Sequence, residues 1–413
     1  MKRINMMIIG LCGLALLPQT VLSQTRKVSL QECINMALEK NPQMQVANKS
    51  VERAKALQGT AWEIDKTELS LSQDPTSGGS PDNALSLSQS IEFPTYYIAR
   101  HKQLKAETQA ERSKAAVVRL SLENDVKAAY YQAVYQAERL RVLESQDSLL
   151  AQYRTLAEKR YKAGETRQLE LLSAERLQRE NKMEVLAAHN ELETAQLLLS
   201  RLVGSVEMVE PKEDSLLPLD WKQASYNYSQ TPDGQYSADR LKASEQAVRV
   251  AKNGFAPSLS LSLRNQLVIS SWNPYDQDRS RFDGGNFMGF EVGVGIPLFY
   301  GATRAKVKAA RKEREMIALE IKEQEQLRQQ KYLSALSRMN AAYVRYTYYN
   351  EEGRERSDKM AEQGLLEYSQ GEISYLEYMN VLQESIDLRL KRASALNDYN
   401  QCVLVMEKLC GRQ

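Results

Sequence analysis

Arg160-Tyr161-Lys162-Ala163-Gly164-Glu165-Thr166-Arg167-Gln168-Leu169-Glu170 and Glu367-Tyr368-Ser369-Gln370-Gly371-Glu372-Ile373-Ser374-Tyr375-Leu376-Glu377 are two versions of one turn. Tyr161, Gly164, Glu165, Leu169 and Glu170 recur 207 positions later as Tyr368, Gly371, Glu372, Leu376 and Glu377. The same offset carries Leu202 and Gly204 onto Leu409 and Gly411, and Leu192, Ala195 and Leu199 onto Tyr399, Cys402 and Met406. Chance likeness between helical sequences does not place turn residues and a terminal glycine at one offset, so the chain is an internal duplication.

Working outward from each turn, proline is absent between Pro94 and Pro211 and again after Pro297. Both stretches are rich in strong helix formers. Val126, Tyr130, Ala133, Ala137 and Leu140 step by 4, 3, 4, 3, and Tyr332, Leu336, Met339, Tyr343 and Tyr346 do the same. That is a heptad seam for long helices packed as coiled coils. From Tyr97 to Arg160 no breaker intervenes, so one helix of roughly 95 Å is predicted at 1.5 Å per residue.

Ahead of each long helix the period drops to two. Leu69 and Leu71 alternate with serines, as do Leu85 and Leu87; Leu259, Leu261 and Leu263 alternate with Ser258, Ser260 and Ser262. Met288, Phe290, Val292, Val294 and Ile296 alternate with glycines and Glu291. Four strands near 61–73, 83–93, 257–270 and 286–297 are predicted, each with one apolar and one polar face. Their length and Ser/Gly-rich face suit a transmembrane barrel with a wet lumen. Phe93, Tyr96, Phe299 and Tyr300, where strands re-enter helices, suit a membrane-interface girdle, and Trp272 with Tyr275 could mark the other interface. Four strands cannot close a barrel, and lipid does not tolerate open edges, so chains must combine symmetrically.

Composition narrows the function. In 413 residues, Lys+Arg 55 against Asp+Glu 53 supplies no basic surface for nucleic acid. Two histidines, His101 and His189, lie on separate helices with no metal-ligand spacing. No catalytic, metal or cofactor site is expected, and the protein reads as a non-enzyme. Gly293-x-Gly295 sits in an alternating strand and reads as strand packing, not a phosphate loop. Lys2, Arg3 and the apolar run Met6–Leu17 before Pro18 form a signal peptide over residues 1–23, with Cys12 inside the apolar run and outside any lipobox context. The exported chain keeps Cys33, Cys402 and Cys410, an odd number that permits one disulfide. The predicted organisation is a first repeat over 24–204 with strand pair 61–93, an equatorial linker over 205–238, and a second repeat over 239–413 with strand pair 257–297.

The order of short helix, strand pair, long helix, turn and returning helix, given twice, resembles the TolC-type outer-membrane efflux proteins. Val28-Ser-Leu-Gln-Glu-Cys-Ile-Asn-Met-Ala-Leu-Glu-Lys-Asn-Pro42 is similar to that family's opening segment, and Tyr368-x-x-Gly371 with Leu376-Glu377 to its second turn. The resemblance implies a mixed α and β fold: a coiled-coil helical barrel plus four strands per chain that complete a 12-stranded barrel in a homotrimer. It implies a passive outer-membrane channel of a tripartite efflux system, projecting into the periplasm toward a periplasmic adaptor and an inner-membrane pump of the RND type. Tip turns at Gly164, Glu165, Gly371 and Glu372 would meet the adaptor, and Glu377, Asn380 and Tyr368 would constrict the pore. Where the family carries a second acidic residue and an arginine, this chain has Asn380 and Ile373. Ile91-Glu-Phe-Pro94-Thr-Tyr resembles relatives of heavy-metal pumps. A type I protein-secretion conduit, a periplasmic adaptor or a structural coiled coil are the alternative readings.

Overall fold

The computed structural model describes residues 26–74, 82–221, 226–267 and 286–412. In chain order its elements are β1 (Arg26–Val28), α1 (Leu30–Lys40), α2 (Pro42–Leu57), a 3-10 turn (Gln58–Trp62), β2 (Glu68–Asp74), β3 (Asp82–Glu92), α3 (Pro94–Lys162) and α4 (Gln168–Val203). There follow β4 (Val209–Pro211), a 3-10 turn (Tyr228–Gln230), α5 (Pro232–Lys252), β5 (Ser258–Leu267), β6 (Asn286–Gly295), α6 (Gly301–Tyr348), a π-turn (Tyr349–Gly353), α7 (Arg354–Gln370) and α8 (Tyr375–Cys410). The signal segment, Cys12, Trp272 and Tyr275 lie outside the described residues.

α3 runs 69 residues without a break. It is the central helix, packing against α2, α4, α5 and α8. Its seam is correspondingly dry: Val126, Tyr130 and Ala133 are buried, with Leu140 close behind. Val126 and Tyr130 join Cys33, Ile34 and Ala37 of α1 and Leu199 and Val203 of α4 in the largest core, while Leu140 packs with Leu143 and Ala188 in a smaller one. Near this level Tyr130 clamps two distant segments, since its hydroxyl donates to Val28 O at 3.1 Å and accepts from Lys212 N at 3.1 Å. Asn41 caps α2 and also donates to Leu202 O at 2.8 Å, tying the α1–α2 corner to the end of α4. Asn400, fully buried in α8, accepts from Leu219 N and donates to Leu217 O, so the linker is held first by the parallel pairing of β4 with β1 and further on by a side-chain amide.

Duplication is visible in backbone geometry. Among the described residues the positive-φ glycines are Gly164, Gly204, Gly371 and Gly411, two pairs separated by 207 residues. Each ends a helix with the same two bonds: Gly164 N to Tyr161 O and Glu165 N to Arg160 O in the first turn, Gly371 N to Tyr368 O and Glu372 N to Glu367 O in the second. This glycine-terminated closure satisfies the last carbonyls of the helix.

Three expectations shift. β2 begins at Glu68, not near residue 61, because residues 58–62 form a 3-10 turn whose Trp62 stacks on Tyr97 with centroids 5.7 Å apart. Residues 63–67 are held beside the sheet by Gln89, which accepts from Thr67 Oγ1 at 2.6 Å and donates to Asp65 O at 2.7 Å. α5 begins at Pro232, inside the segment read as linker, where Thr231 caps it and proline occupies its first turn. The second seam is half exposed: Tyr332 and Met339 are buried, but Tyr343 is 53% accessible. α6 packs chiefly on α5 and α8, so its far face has no partner among the described residues.

The two repeats also differ by one residue. Buried Val126, Ala133 and Gln136 correspond to buried Tyr332, Met339 and Ala342 at an offset of 206. Beyond the π-turn, buried Leu150 and Ala157 correspond to Ser357 and Gly364 at an offset of 207. A single extra residue in the second repeat is absorbed by the wider π-helical turn, the usual way a helix accepts one.

Candidate functional site

Two regions carry the predicted function, the four-stranded sheet and the opposite end of the helices. The sheet is antiparallel in order β2-β3-β5-β6. Its register aligns Leu69, Leu87, Leu263 and Phe290 in one row, Leu71, Leu85, Asn265 and Met288 in another, and Ile91, Leu259 and Val294 in a third. Side chains alternate across a strand, so these rows share one face. The face is exposed, with Phe290 at 77% and Leu71 at 75% accessible. The opposite face carries Glu68, Ser88, Ser262 and Glu291 in one row and Ser90, Ser260 and Gly293 in the next. A Cβ at Gly293 would lie 2.4 Å from Ser260 Oγ, so a side chain there would turn the serine hydroxyl aside. Among the described residues β2 and β6 each leave one edge unpaired.

At the sheet–helix junction Phe299 is almost fully exposed, Phe93 and Tyr300 are partly exposed, and Tyr96 is half-buried against Tyr97. Sequence reading missed Trp62, which is 60% accessible, and Phe255, whose ring lies 5.8 Å from that of Tyr300. A tryptophan just ahead of an alternating run was the available signal.

At the other end, the turns at Gly164 and Gly371 are exposed together with Glu165 and Glu372. Arg160 approaches Glu165 at 3.6 Å. Behind the turns lies an aromatic core. Tyr153 stacks on Tyr375 at 4.9 Å, and Tyr368 stacks on Tyr378 at 4.7 Å. Ile373 packs against the same cluster, where the family arginine was expected to be missing. Tyr368 is 7% accessible and bridges the repeats: its hydroxyl accepts from Arg160 Nη1 at 2.9 Å and faces Glu170 Oε1 at 3.4 Å. Burial raises the Tyr368 pKa, and the hydrogen bond to Tyr368 raises that of Arg160. Arg160 and Glu170 were not singled out for this role; the recurrence of Glu170 as Glu377 was the only sign.

Glu377 does not join that link. It closes a capping box on α8, with Ser374 N and Oγ donating to Glu377 Oε2 at 2.8 and 2.7 Å. The Ser374 backbone bond, followed by its hydroxyl, lowers the Glu377 pKa. Glu377 is exposed, and Asn380 is exposed one turn further. Cys33, Cys402 and Cys410 are all free, so no disulfide involves them. Cys33 is sealed in the main core and burial pushes its thiol up to about 12.

Residues 33–205 match the outer membrane efflux protein family. No curated protein sequence matches the chain. Among solved structures it resembles CusC, in crystal structures that concern folding and transmembrane channel formation, at 18% identity and TM-score 0.76 over 94% of each chain. It also resembles the CmeC outer membrane channel of Campylobacter jejuni, at 17% identity and TM-score 0.73 over 92% of this chain and 85% of that one. The outer membrane protein VceC of Vibrio cholerae gives 16% identity and TM-score 0.73 over 93% and 96%. The family match thus runs from Cys33 in α1 to just past the glycine-capped end of α4, and the chain as a whole shares the fold of these outer-membrane channels.

Proposed function

We propose that this protein is the outer-membrane channel of a tripartite efflux system, a passive conduit from periplasm to exterior. The observation that carries this is the sheet: one apolar face, one Ser/Gly/Glu face and two unpaired edges, joined directly to helices of 69 and 48 residues. In a bilayer an unpaired strand edge is not tolerated, and β6 of one copy meeting β2 of the next removes all edges. Three copies place twelve strands in one barrel, the apolar rows facing lipid and the Ser/Gly rows lining water. The unpartnered faces of α4 and of α6–α7, with Leu186, Met183, Leu319 and Val344 exposed, pack in the same step.

No catalysis is needed, since an inner-membrane pump supplies the energy and a periplasmic adaptor joins pump to channel. The adaptor meets the exposed tip turns, where Leu169 and Leu376 are 70% and 66% accessible at equivalent positions. The closed tip is held by Tyr368 between Arg160 and Glu170, and Glu377 with Asn380 faces the narrowed pore. Membrane fractionation tests the reading: a trimer extracted by detergent from outer membranes and conducting in planar bilayers is expected. A detergent-independent soluble chain would point to a periplasmic coiled-coil protein.

A further inference from the structure

We propose that the π-turn at Tyr349–Gly353 is a hinge, about which α7 and the adjoining part of α8 bend away from the first repeat's hairpin. The inference rests on the channel reading and locates where the moving part of the tip begins. Four observations meet here. First, α3 passes the equivalent level as unbroken α-helix, while the second repeat carries one extra residue. A π-turn weakens local helical hydrogen bonding and marks functional sites often. Second, Gly353 lies within it, buried and with no side chain to pack. Third, an open polar cavity of about 400 Å3 adjoins the turn, lined by Glu138, Arg354, Asp358, Arg389 and Arg392. Water can fill and leave such a space as the helix bends, which a dry core would resist.

The fourth observation is how the bonds divide. Beyond the turn, α7 and α8 are one body: Ser357 Oγ donates to Ser385 O and Ser385 Oγ to Ser357 O, both at 2.9 Å. Arg389 adds bonds to Ser357 Oγ at 3.2 Å and Asp358 Oδ1 at 3.1 Å. Before the turn, α6 is fixed to α8 by Tyr346 stacked on Tyr399 at 5.5 Å. At the turn itself, which also packs on α8, the side-chain hydrogen bond to α8 among the described residues is Arg392 Nε to Asn350 Oδ1 at 3.2 Å. α8 crosses this level unbroken, so the motion is a bend that α8 follows by gentle curvature. Hinge closure of this kind concentrates the backbone change in a few residues.

Deleting Glu351, an exposed residue of the π-turn, restores the register of α3 and should convert the turn into continuous α-helix. Hydrogen exchange on the purified native trimer should show amides of residues 349–355 exchanging at least about tenfold faster than those of residues 142–148, and the deletion should erase most of that difference. Equal protection of the two segments in the native trimer would overturn the hinge. In planar bilayers, Tyr368→Phe removes the bridging hydroxyl and should raise conductance about fivefold, as expected for losing roughly one hydrogen bond. The Glu351 deletion should cancel that gain; a gain that survives it also overturns the hinge. If Tyr368→Phe trimers with the native turn never conduct, the channel reading fails, and the exchange comparison still judges the hinge alone. Gly353→Ala, whose Cβ would sit 3.3 Å from the Tyr349 ring, stiffens the turn without changing register and should slow exchange there, which provides the same test if the deletion does not assemble.

Discussion

At the scale of single residues, Glu377 has two roles that substitution can separate. Gln serves at the third position of a capping box as well as Glu does, whereas Ala serves neither capping nor charge. Glu377→Gln should therefore leave trimer melting unchanged while reducing cation preference and divalent block in planar bilayers, if three such carboxylates ring the pore. Unchanged selectivity would leave Glu377 a helix cap only. The sign of its pH dependence follows from its lowered pKa. Its charge is present throughout and above the ordinary glutamate range and is lost only as pH falls through the lower folded value. Cation preference should accordingly survive mild acidification. The cysteines give a second test. Cys33 is fully buried with its thiol pushed up to about 12, while Cys402 and Cys410 are partly exposed. Alkylation of the native protein at pH 8 should label Cys402 or Cys410 and spare Cys33, because the thiolate is the reacting form. Mass spectrometry of labelled peptides reads the result directly.

At the scale of elements, the strand faces and the tip turns make separate predictions. Leu261 sits beside Gln89 and Val292 on the apolar face, and Ser260 beside Ser90 and Gly293 on the other. Leu261→Asp should impair membrane insertion far more than Ser260→Asp; a basic residue at midplane on a lipid face costs about 2–4 kcal/mol and Asp somewhat less. Equal yields of inserted trimer would reverse the assigned faces. At the tips, a Cβ on Gly164 or Gly371 meets nothing within 4 Å, so the penalty for a side chain there is purely conformational. Left-handed backbone costs an L-residue roughly 1–2 kcal/mol, and a β-branched one more. The double variant Gly164→Val, Gly371→Val should still form trimers but lose efflux, measured as substrate accumulation in cells. Retained efflux would move the adaptor contact elsewhere. The π-turn shows why element reading from sequence stops short. Heptad spacing on each side of it is regular, and one surplus residue becomes visible only when buried positions of the two repeats are superposed.

At the scale of the whole molecule, duplication, long helices and paired amphipathic strands were legible before any coordinates. They depend on local rules: periods of 3.5 and 2, glycine at left-handed helix ends, and proline confined to the boundaries. The Tyr-x-x-Gly-Glu recurrence alone implied two equivalent hairpins, and the positive-φ glycines 207 residues apart are its physical expression. What only tertiary structure decided is which of the two equivalent repeats lies inside. α3 is enclosed by five helices (α1, α2, α4, α5 and α8) and α6 by two, although their seams share one spacing. Periodicity records that a face is apolar; it does not record whether the same chain or another copy covers it. Likewise Tyr368 and Glu377 are both recurrent tip residues, yet one bridges the repeats and the other turns back to its own Ser374. Sequence marks positions along each helix, but a side chain's partner depends on how separate helices cross, and that is settled by packing between segments some 200 residues apart.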